Sequence, residues 1–233
     1  SSDVCSSDLE VNNPDLDIFL KGVNISQESD CKYLAVTLDS QMKFQIHVND
    51  VINKLKRALS IFTRAAHFVD ISTRITLYNT LLLPHLDYCS TVWSGSLRKC
   101  DLVRLQRIQN RAMRTILHCH PRTHILDMLR TLKWMSVKQR LHHNLCIFIW
   151  KIIHNQVPTY LSNIYTPVAN IHSHNTRFSS NSSLFQNRNS HKSLSTLGVK
   201  VWNELPQHVR DAGTLYSFKK GCTTRIFYKL EPL

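Results

Sequence analysis

The sequence lacks a long apolar run. Its longest apolar stretch, Leu145 to Trp150, ends at Lys151 after six residues, far short of the roughly 20 that span a bilayer. No charged and then apolar start indicates a secretory signal. C-x-x-C pairs are also missing, although the chain has seven cysteines. We therefore expect an intracellular protein without a membrane partner, whose thiols stay reduced and mostly belong to the core.

The signatures of a complete active site are missing as well. The sequence contains no Asp-Asp pair, no phosphate-binding G-x-x-x-x-G-K-[ST] loop, no G-x-S-x-G elbow and no H-E-x-x-H helix. An enzyme that transfers phosphoryl groups with two metal ions needs carboxylates to hold those ions. We therefore expect no catalytic residue in this chain.

Acidic residues are scarce over most of the chain. The first 39 residues hold 2 basic and 8 acidic side chains, and residues 40–233 hold 27 and 8, so the net charges are −6 and +19. A basic body of this size favours polyanions, nucleic acid first and an acidic membrane surface second. The alternative is a basic protein whose charge serves only solubility.

Periodicity predicts a mainly α fold with a small N-terminal antiparallel β element. Lys21-Gly22 predicts a tight turn between two short strands, and the alternating run from Cys31 to Asp39 predicts a third strand in the same sheet. Apolar residues spaced 3, 4 and 7 apart predict a long helix from Phe44 to Ala66, capped by Asp39 or Ser40. Further helices are predicted over Ser72 to Trp93 with a break at Pro84, Asp101 to Leu117, from the Ser136/Gln139 capping box to His154, Leu194 to Val209, and Thr214 to Tyr228.

Two of these helices carry basic residues opposite their apolar stripe. On the first they are Lys54, Arg57 and Arg64, and on the helix from Asp101 they are Arg104, Arg107, Arg111 and Arg114. The four arginines spread over about 15 Å of one helix face, at a rise of ~1.5 Å per residue. Solvated faces usually mix signs in i,i+4 pairs, whereas residues 102–123 contain no Asp or Glu. The stripe therefore favours a track of phosphate contacts over a solvated face.

Histidine and cysteine cluster loosely in two places. His118, Cys119 and His120 end the arginine-rich helix, and His142 and Cys146 lie four apart on the next predicted helix. Zinc is bound by such side chains in tetrahedral sets, but this spacing matches no common zinc finger. A zinc-stabilised interaction module is therefore an alternative, and we expect no bound metal.

Several blocks of the sequence resemble non-LTR (LINE-type) retrotransposon reverse transcriptases. The block KYLAVTLDSQMKF, followed by His47, is similar to the KYLGV-LD-----F--H block that forms motif E, the primer grip, in that family. LYNTLLLPHLDYCSTVW, LQRIQNRAMRTI and VKVWNELPQHVR resemble the region that follows it. The resemblance covers most of Phe19 to Phe227, with Ala35 standing where the family usually has glycine. Residues 2–9 instead resemble the translated tail of a sequencing adapter and are excluded from the fold prediction.

The resemblance implies a division of the chain. Residues 1–9 are an artefact, 10–40 a β-hairpin and primer-grip remnant of the palm, 41–165 a helical thumb and C-terminal helical region, 166–193 a flexible linker, and 194–233 short C-terminal helices. The fold class is thus mainly α, with a thumb-like multi-helix body. The catalytic carboxylates and their Mg²⁺ would belong to a palm upstream of residue 1. The resemblance therefore implies that this chain alone has no polymerase activity.

The resemblance also implies a function in primer and template binding. The expected nucleic-acid-binding residues are Lys32, Tyr33, Leu34, Lys54, Arg57, Arg64, Arg104, Arg107, Arg111 and Arg114, with Lys32 to Leu34 at the primer end. The implied partners are RNA, DNA, their hybrid and the missing N-terminal polymerase half, in the nucleus and cytoplasm. A free-standing helical nucleic-acid-binding protein without polymerase activity is the alternative, and an upstream reading frame for a palm would distinguish the two.

Overall fold

The computed structural model describes residues 18–25, 28–162, 164–165, 168, 183–184 and 194–228. Within this part the chain is mainly α-helical with two small antiparallel β-hairpins at its N-terminal end, which confirms the expected fold class. None of the described helices is long and apolar enough to cross a membrane. The adapter-like residues 2–9 and nearly all of the predicted linker at 166–193 lie outside the described residues.

The first hairpin agrees with the sequence. Strands β1 (Ile18–Leu20) and β2 (Val23–Ile25) pair antiparallel with Leu20 opposite Val23. Lys21 and Gly22 therefore form a two-residue turn, and both have positive φ, at 50° and 79°. That is the backbone geometry of the tight hairpin turns whose twist matches the flanking strands.

The second hairpin corrects the prediction of a single strand. Cys31 to Asp39 is divided between β3 (Asp30–Tyr33) and β4 (Val36–Asp39), which pair antiparallel with Tyr33 opposite Val36. Leu34 and Ala35 form the turn between them, with φ of 45° and 63°. This hairpin does not join β1 and β2 in one sheet, so the predicted three-stranded sheet is also wrong for the described residues.

Helix α1 (Gln45–Ala65) lies close to its predicted bounds. The carboxylate of Asp39 accepts the backbone N–H groups of Lys43 at 2.8 Å and Phe44 at 2.5 Å. Because Phe44 is itself the N-cap residue, Asp39 holds the entrance of the helix from five residues upstream instead of capping its first turn from the N-cap position.

Six more helices complete the larger part of the body: α2 (Ile71–Leu81), α3 (Leu83–Asp87), α4 (Ser90–Trp93), α5 (Lys99–Leu117), α6 (Ile125–Leu132) and α7 (Val137–Ile153). Pro84 lies in the first turn of α3, where its missing N–H costs nothing, so the predicted break is confirmed. Ser136 and Gln139 form the predicted capping box at the start of α7. Helix α6 is not anticipated by the sequence analysis.

Helix α7 joins two buried cores. Its Val137 and Leu141 belong to a first core with α1 to α5, which includes Ile52, Phe62 and Trp93. From Leu145 onwards, α7 belongs to a second core built with the C-terminal helices. One continuous helix therefore supplies apolar side chains to both cores.

The second core contains three short helices: α8 (Leu194–Asn203), α9 (Gln207–Arg210) and α10 (Leu215–Tyr228). Pro206 precedes α9 and divides the single helix predicted over Leu194 to Val209. Leu184, from the predicted linker, is buried in this core. The side-chain amide of Asn203 accepts the Leu184 N–H at 3.0 Å and donates to the Leu184 carbonyl at 2.9 Å.

Candidate nucleic-acid interface

Helix α5 separates its arginines from its apolar residues. Leu105, Ala112, Met113 and Ile116 are buried, whereas Arg107 and Arg111 are exposed. Arg104 and Arg114 are half-buried at the two ends of the row. We call these four residues the arginine row. Its two central members have the accessibility that phosphate contact requires.

Arg104 is held in place by its neighbours. Its Nη1 donates to the carboxylate of Asp101 at 3.0 Å and to the side-chain oxygen of Asn49 at 2.9 Å. Asp101 is fully buried and also accepts a hydrogen bond from Arg98. Burial alone would raise the pKa of Asp101, but the hydrogen bonds from Arg98 and Arg104 hold that pKa below its ordinary value. Arg104 is therefore partly neutralised by an acid one residue before the acid-free interval.

Helices α1 and α5 run side by side in the same direction. Arg104 near the start of α5 contacts Asn49 near the start of α1. At the other end, Arg74 donates from Nε to the Ala66 carbonyl at 2.7 Å and from Nη1 to the Ile116 carbonyl at 3.2 Å. This guanidinium therefore donates to carbonyls at the C-terminal ends of both α1 and α5, which have no partner within their own helix. It holds the two helices parallel to each other.

The basic residues of α1 divide between different parts of its surface. Arg57 and Arg64 are exposed, and Lys54 is half-buried. Since Asn49 touches α5, the residues at helical spacing from it, Asn53 and Lys56, lie on the flank next to the arginine row. Both are exposed. Lys56 is thus a candidate contact that the sequence analysis missed, because only the packing of α1 on α5 identifies this flank.

The predicted primer-end residues lie at the tip of the second hairpin. Lys32 is exposed, and Tyr33 and Leu34 are 66% and 70% exposed. The Tyr88 hydroxyl donates to the Leu34 carbonyl at 2.7 Å and ties this tip to the helical body. Two apolar side chains are therefore presented to solvent by an anchored turn.

His47 links this hairpin to α1. Its ring is buried, and its Nδ1 accepts the backbone N–H of Thr37 at 3.3 Å. Burial, with the positive charge of Lys54 as a second cause, lowers the pKa of His47. Asn49, two residues further on, contacts Arg104. The start of α1 therefore brings the hairpin and the first arginine of the row to the same end of the molecule.

The amides of the LQRIQNRAMRTI block face inwards. Gln106 donates to the side-chain oxygens of Gln109 and Asn110, both at 2.8 Å, and accepts the Val137 N–H at 2.9 Å. Gln109 donates to the Met135 carbonyl at 2.9 Å. These buried amides fix the start of α7 against α5. Within one block, the amides are structural and the two central arginines face solvent.

The loose histidine and cysteine pattern does not converge. No group of three or more His, Cys, Asp or Glu side chains that could hold a metal ion is found among the described residues. Cys119 Sγ lies 3.5 Å from the sulfur of Met128. Burial lowers the pKa of His142, and a hydrogen bond with Cys222 together with burial raises that of Cys146. Cys146 is buried, Cys119 and His142 are half-buried, and His118 and His120 are exposed.

The chain is similar to two curated transposon proteins. It is 28% identical over 130 residues to the "Probable RNA-directed DNA polymerase from transposon X-element" of Drosophila melanogaster, a match that covers 52% of this chain and 13% of that protein. It is 30% identical over 105 residues to the "Probable RNA-directed DNA polymerase from transposon BS" of the same organism, covering 44% of this chain and 12% of that protein. No protein-family model matches the chain. No solved structure matches it either.

These matches confirm the resemblance to transposon reverse transcriptases at a coarse level. The chain spans about an eighth of the length of the two relatives. The assignments to a primer grip, a thumb and a LINE-type element stay predictions, as do the individual binding residues.

Proposed function

We propose that this chain is part of a non-LTR transposon reverse transcriptase and that its helical body holds the template and primer through their phosphates. The two relatives named as RNA-directed DNA polymerases of transposons support the parent activity. The net charge of +19 from residue 40 onwards supports a polyanionic partner.

The arginine row is the observation that carries the proposal. Arg107 and Arg111 are exposed at the centre of α5, and the exposed Lys56 lies on the adjacent flank of the parallel helix α1. Two parallel helices with cations along their shared edge can follow the evenly spaced charges of a nucleic-acid backbone. Contacts of this kind position a duplex without distinguishing its sequence.

The hairpin tip has a different role in the proposal. Lys32, Tyr33 and Leu34 would contact the primer end, with Lys32 near a phosphate and the exposed Tyr33 ring near a sugar or base. The link through His47 and Asn49 places this tip at the same end as Arg104. A duplex lying along the arginine row would then have its primer end beside the hairpin, while the carboxylates and Mg²⁺ would come from the palm.

The test is the salt dependence of binding to an RNA–DNA hybrid. Arg107→Ala/Arg111→Ala should weaken binding and reduce the slope of log K against log salt by roughly 1.5–2, since each lost phosphate contact removes about 0.7–0.9. The loss should be similar for hybrids of unrelated sequence, because phosphates carry no base information. A folded double variant with an unchanged slope would contradict the proposal.

A further inference from the structure

A cavity of about 130 Å³ lies beside the first core, where α10 supplies part of its wall. Its other walls come from α2, α3, α5, α7 and the loop between α6 and α7, and include Tyr78, Asn79, Gln109, Lys133, Trp134 and Arg140. A protein cavity of ~150 Å³ is large enough to hold benzene. The volume therefore suits one six-membered ring, and because the cavity is open on one side, the second ring of a purine would lie outside it.

One wall of the cavity is aromatic. The rings of Tyr78 and Trp134 stack with their centroids 4.2 Å apart and their planes inclined by 24°. Tyr78 is buried, which raises its pKa to about 12, so its hydroxyl stays uncharged and does not repel an anion. Trp134 is half-buried, whereas Trp93, Trp150 and Trp202 are at most 1% exposed. A planar ring entering the cavity would meet the part of the Trp134 indole that Tyr78 does not cover.

Most polar groups around the cavity already have partners. Gln109 donates to the Met135 carbonyl and accepts from Gln106. Arg140 donates from Nε and Nη2 to the carboxylate of Asp87, at 2.7 and 2.6 Å. Asp87 and Arg140 thus offset each other's charge. Lys133 is exposed and forms no ion pair among the described residues, so it leaves the mouth of the cavity positive.

Lys133 is also in an unusual conformation. It ends α6 with φ of 54°, a left-handed position that glycine usually occupies, and its N–H bonds back to the Arg130 carbonyl. A lysine here is conformationally unfavourable, and it lines the cavity beside Trp134.

We propose that this cavity binds a pyrimidine nucleotide, with the base against Trp134, its polar edge at the Asn79 amide and its phosphate at Lys133. The choice of a nucleotide rests on the proposed function, and the ring size rests on the cavity. The same chemistry is offered by a free pyrimidine mononucleotide and by an unpaired pyrimidine of a bound strand. Base stacking on an aromatic side chain is a common element of single-strand recognition.

Tryptophan fluorescence of the full chain tests this proposal, because Trp134 is the half-exposed tryptophan. Uridine monophosphate should cause a saturable change, and adenosine monophosphate should bind about tenfold more weakly because part of a purine would stay outside the cavity. Uridine without phosphate should also bind more weakly. Equal affinity for the two monophosphates, or no saturable change with uridine monophosphate, would overturn the proposal.

Lys133→Gly tests the phosphate contact directly. Glycine suits the left-handed backbone at this position, so the variant should still fold. Its affinity for uridine monophosphate should fall about tenfold, with little change in affinity for uridine. Lys21→Gly is the matched control, since Lys21 also has positive φ but lies in the first hairpin. A Lys133→Gly protein that binds uridine monophosphate as tightly as the Lys21→Gly control would contradict the assignment of the phosphate and with it the site.

The source of the pyrimidine is distinguished with oligonucleotides on the same preparation. An unpaired pyrimidine ligand predicts that single-stranded oligo(U) binds more tightly than uridine monophosphate and loses affinity in Lys133→Gly. A free mononucleotide ligand predicts no gain from the strand. We expect this site to leave the salt dependence of hybrid binding unchanged. If the unaltered protein does not bind uridine monophosphate, but Arg107→Ala/Arg111→Ala shows the expected loss of slope, only the cavity proposal is overturned. If uridine monophosphate binds and that double variant keeps its slope, only the proposed function is overturned.

Discussion

The two larger cores of the described residues differ in what surrounds them. The first core carries two long helices, α1 with 21 residues and α5 with 19, each with one apolar face and one open basic face. The second core is closed by helices of 4 to 14 residues. There, Asn203 and Arg210 bind the segment of Ser183 and Leu184.

Polar residues in the blocks that resemble reverse transcriptases have different roles near the two cores. In VKVWNELPQHVR, Asn203 and the buried Arg210 hold the protein's own chain. In LQRIQNRAMRTI, buried Gln106 and exposed Arg107 are neighbours in sequence but lie on different faces of α5. The face of the helix decides whether such a residue stabilises the fold or is available to a partner.

The largest expected loss of stability comes from a substitution that disrupts only the second core. Trp150→Ala should cost about 3–5 kcal/mol, because a fully buried indole is lost from α7 together with its hydrogen bond to the Ala212 carbonyl. Hydrogen exchange should show lost protection in α8 and α10 and retained protection in α1 and α5. Equal loss of protection throughout would mean that the two cores fold as one unit.

A pair of neighbouring substitutions sharpens the contrast between the faces of α5. Gln106→Ala should reduce the free energy of unfolding by about 1–3 kcal/mol, because the Val137 N–H and the amide partners lose their hydrogen bonds in a buried site. Arg107→Ala should change it by less than about 0.5 kcal/mol. Urea unfolding measures both, and the assignment of faces is wrong if the two variants lose the same stability.

Acidification should weaken the attachment of the second hairpin to the first core. The pKa of His47 is lowered in the folded protein, so the unfolded chain binds more protons as the pH falls through the ordinary histidine value, and stability decreases there. One such histidine contributes at most about 1.4 kcal/mol per pH unit. His142 and His143, whose pKa values burial also lowers, add to the same trend.

His47→Gln isolates this contribution, since glutamine can accept the Thr37 N–H without titrating. Urea unfolding between pH 7 and pH 5 should show a smaller decrease in stability for this variant than for the unaltered protein. An identical pH dependence in the two proteins would show that His47 does not contribute to the loss of stability on acidification.

A smaller change in the opposite direction, a gain in stability, is expected at the hairpin turn. Ala35 has φ of 63°, where a Cβ is unfavourable, so Ala35→Gly should stabilise the protein by roughly 1 kcal/mol in urea unfolding. Ala58→Gly, in the interior of α1, is the control and should destabilise it by about 1 kcal/mol. A loss of stability in Ala35→Gly would contradict the turn geometry.

Long helices were predictable, and the hairpin turn was not. The apolar periods of α1 and α5 give bounds within two residues because their buried faces are continuous. The β3–β4 turn was missed because Leu34 and Ala35 are not turn-forming residues, although both adopt positive φ. The glycine usual at position 35 in the resembling family would have indicated it.

The candidate interface was predictable only in its outline. The arginine row follows from helical spacing, but the pairing of Arg104 with Asp101 depends on the complete burial of Asp101, which the sequence does not indicate. Lys56 is identified by the contact of Asn49 with Arg104, which are 55 residues apart. Side chains that meet across two helices cannot be identified from the period of either helix.

The most direct test removes two positive charges beside the first core or two beside the second, and compares the effect on nucleic-acid binding. Arg107→Ala/Arg111→Ala removes two exposed cations beside the first core, and Lys219→Ala/Lys220→Ala removes two from α10 beside the second. Binding of both to one RNA–DNA hybrid is measured over a range of salt concentrations. We expect the slope of log K against log salt to fall by roughly 1.5–2 in the arginine variant and much less in the lysine variant. Equal slopes in the two variants would contradict the assignment of phosphate contacts to the arginine row.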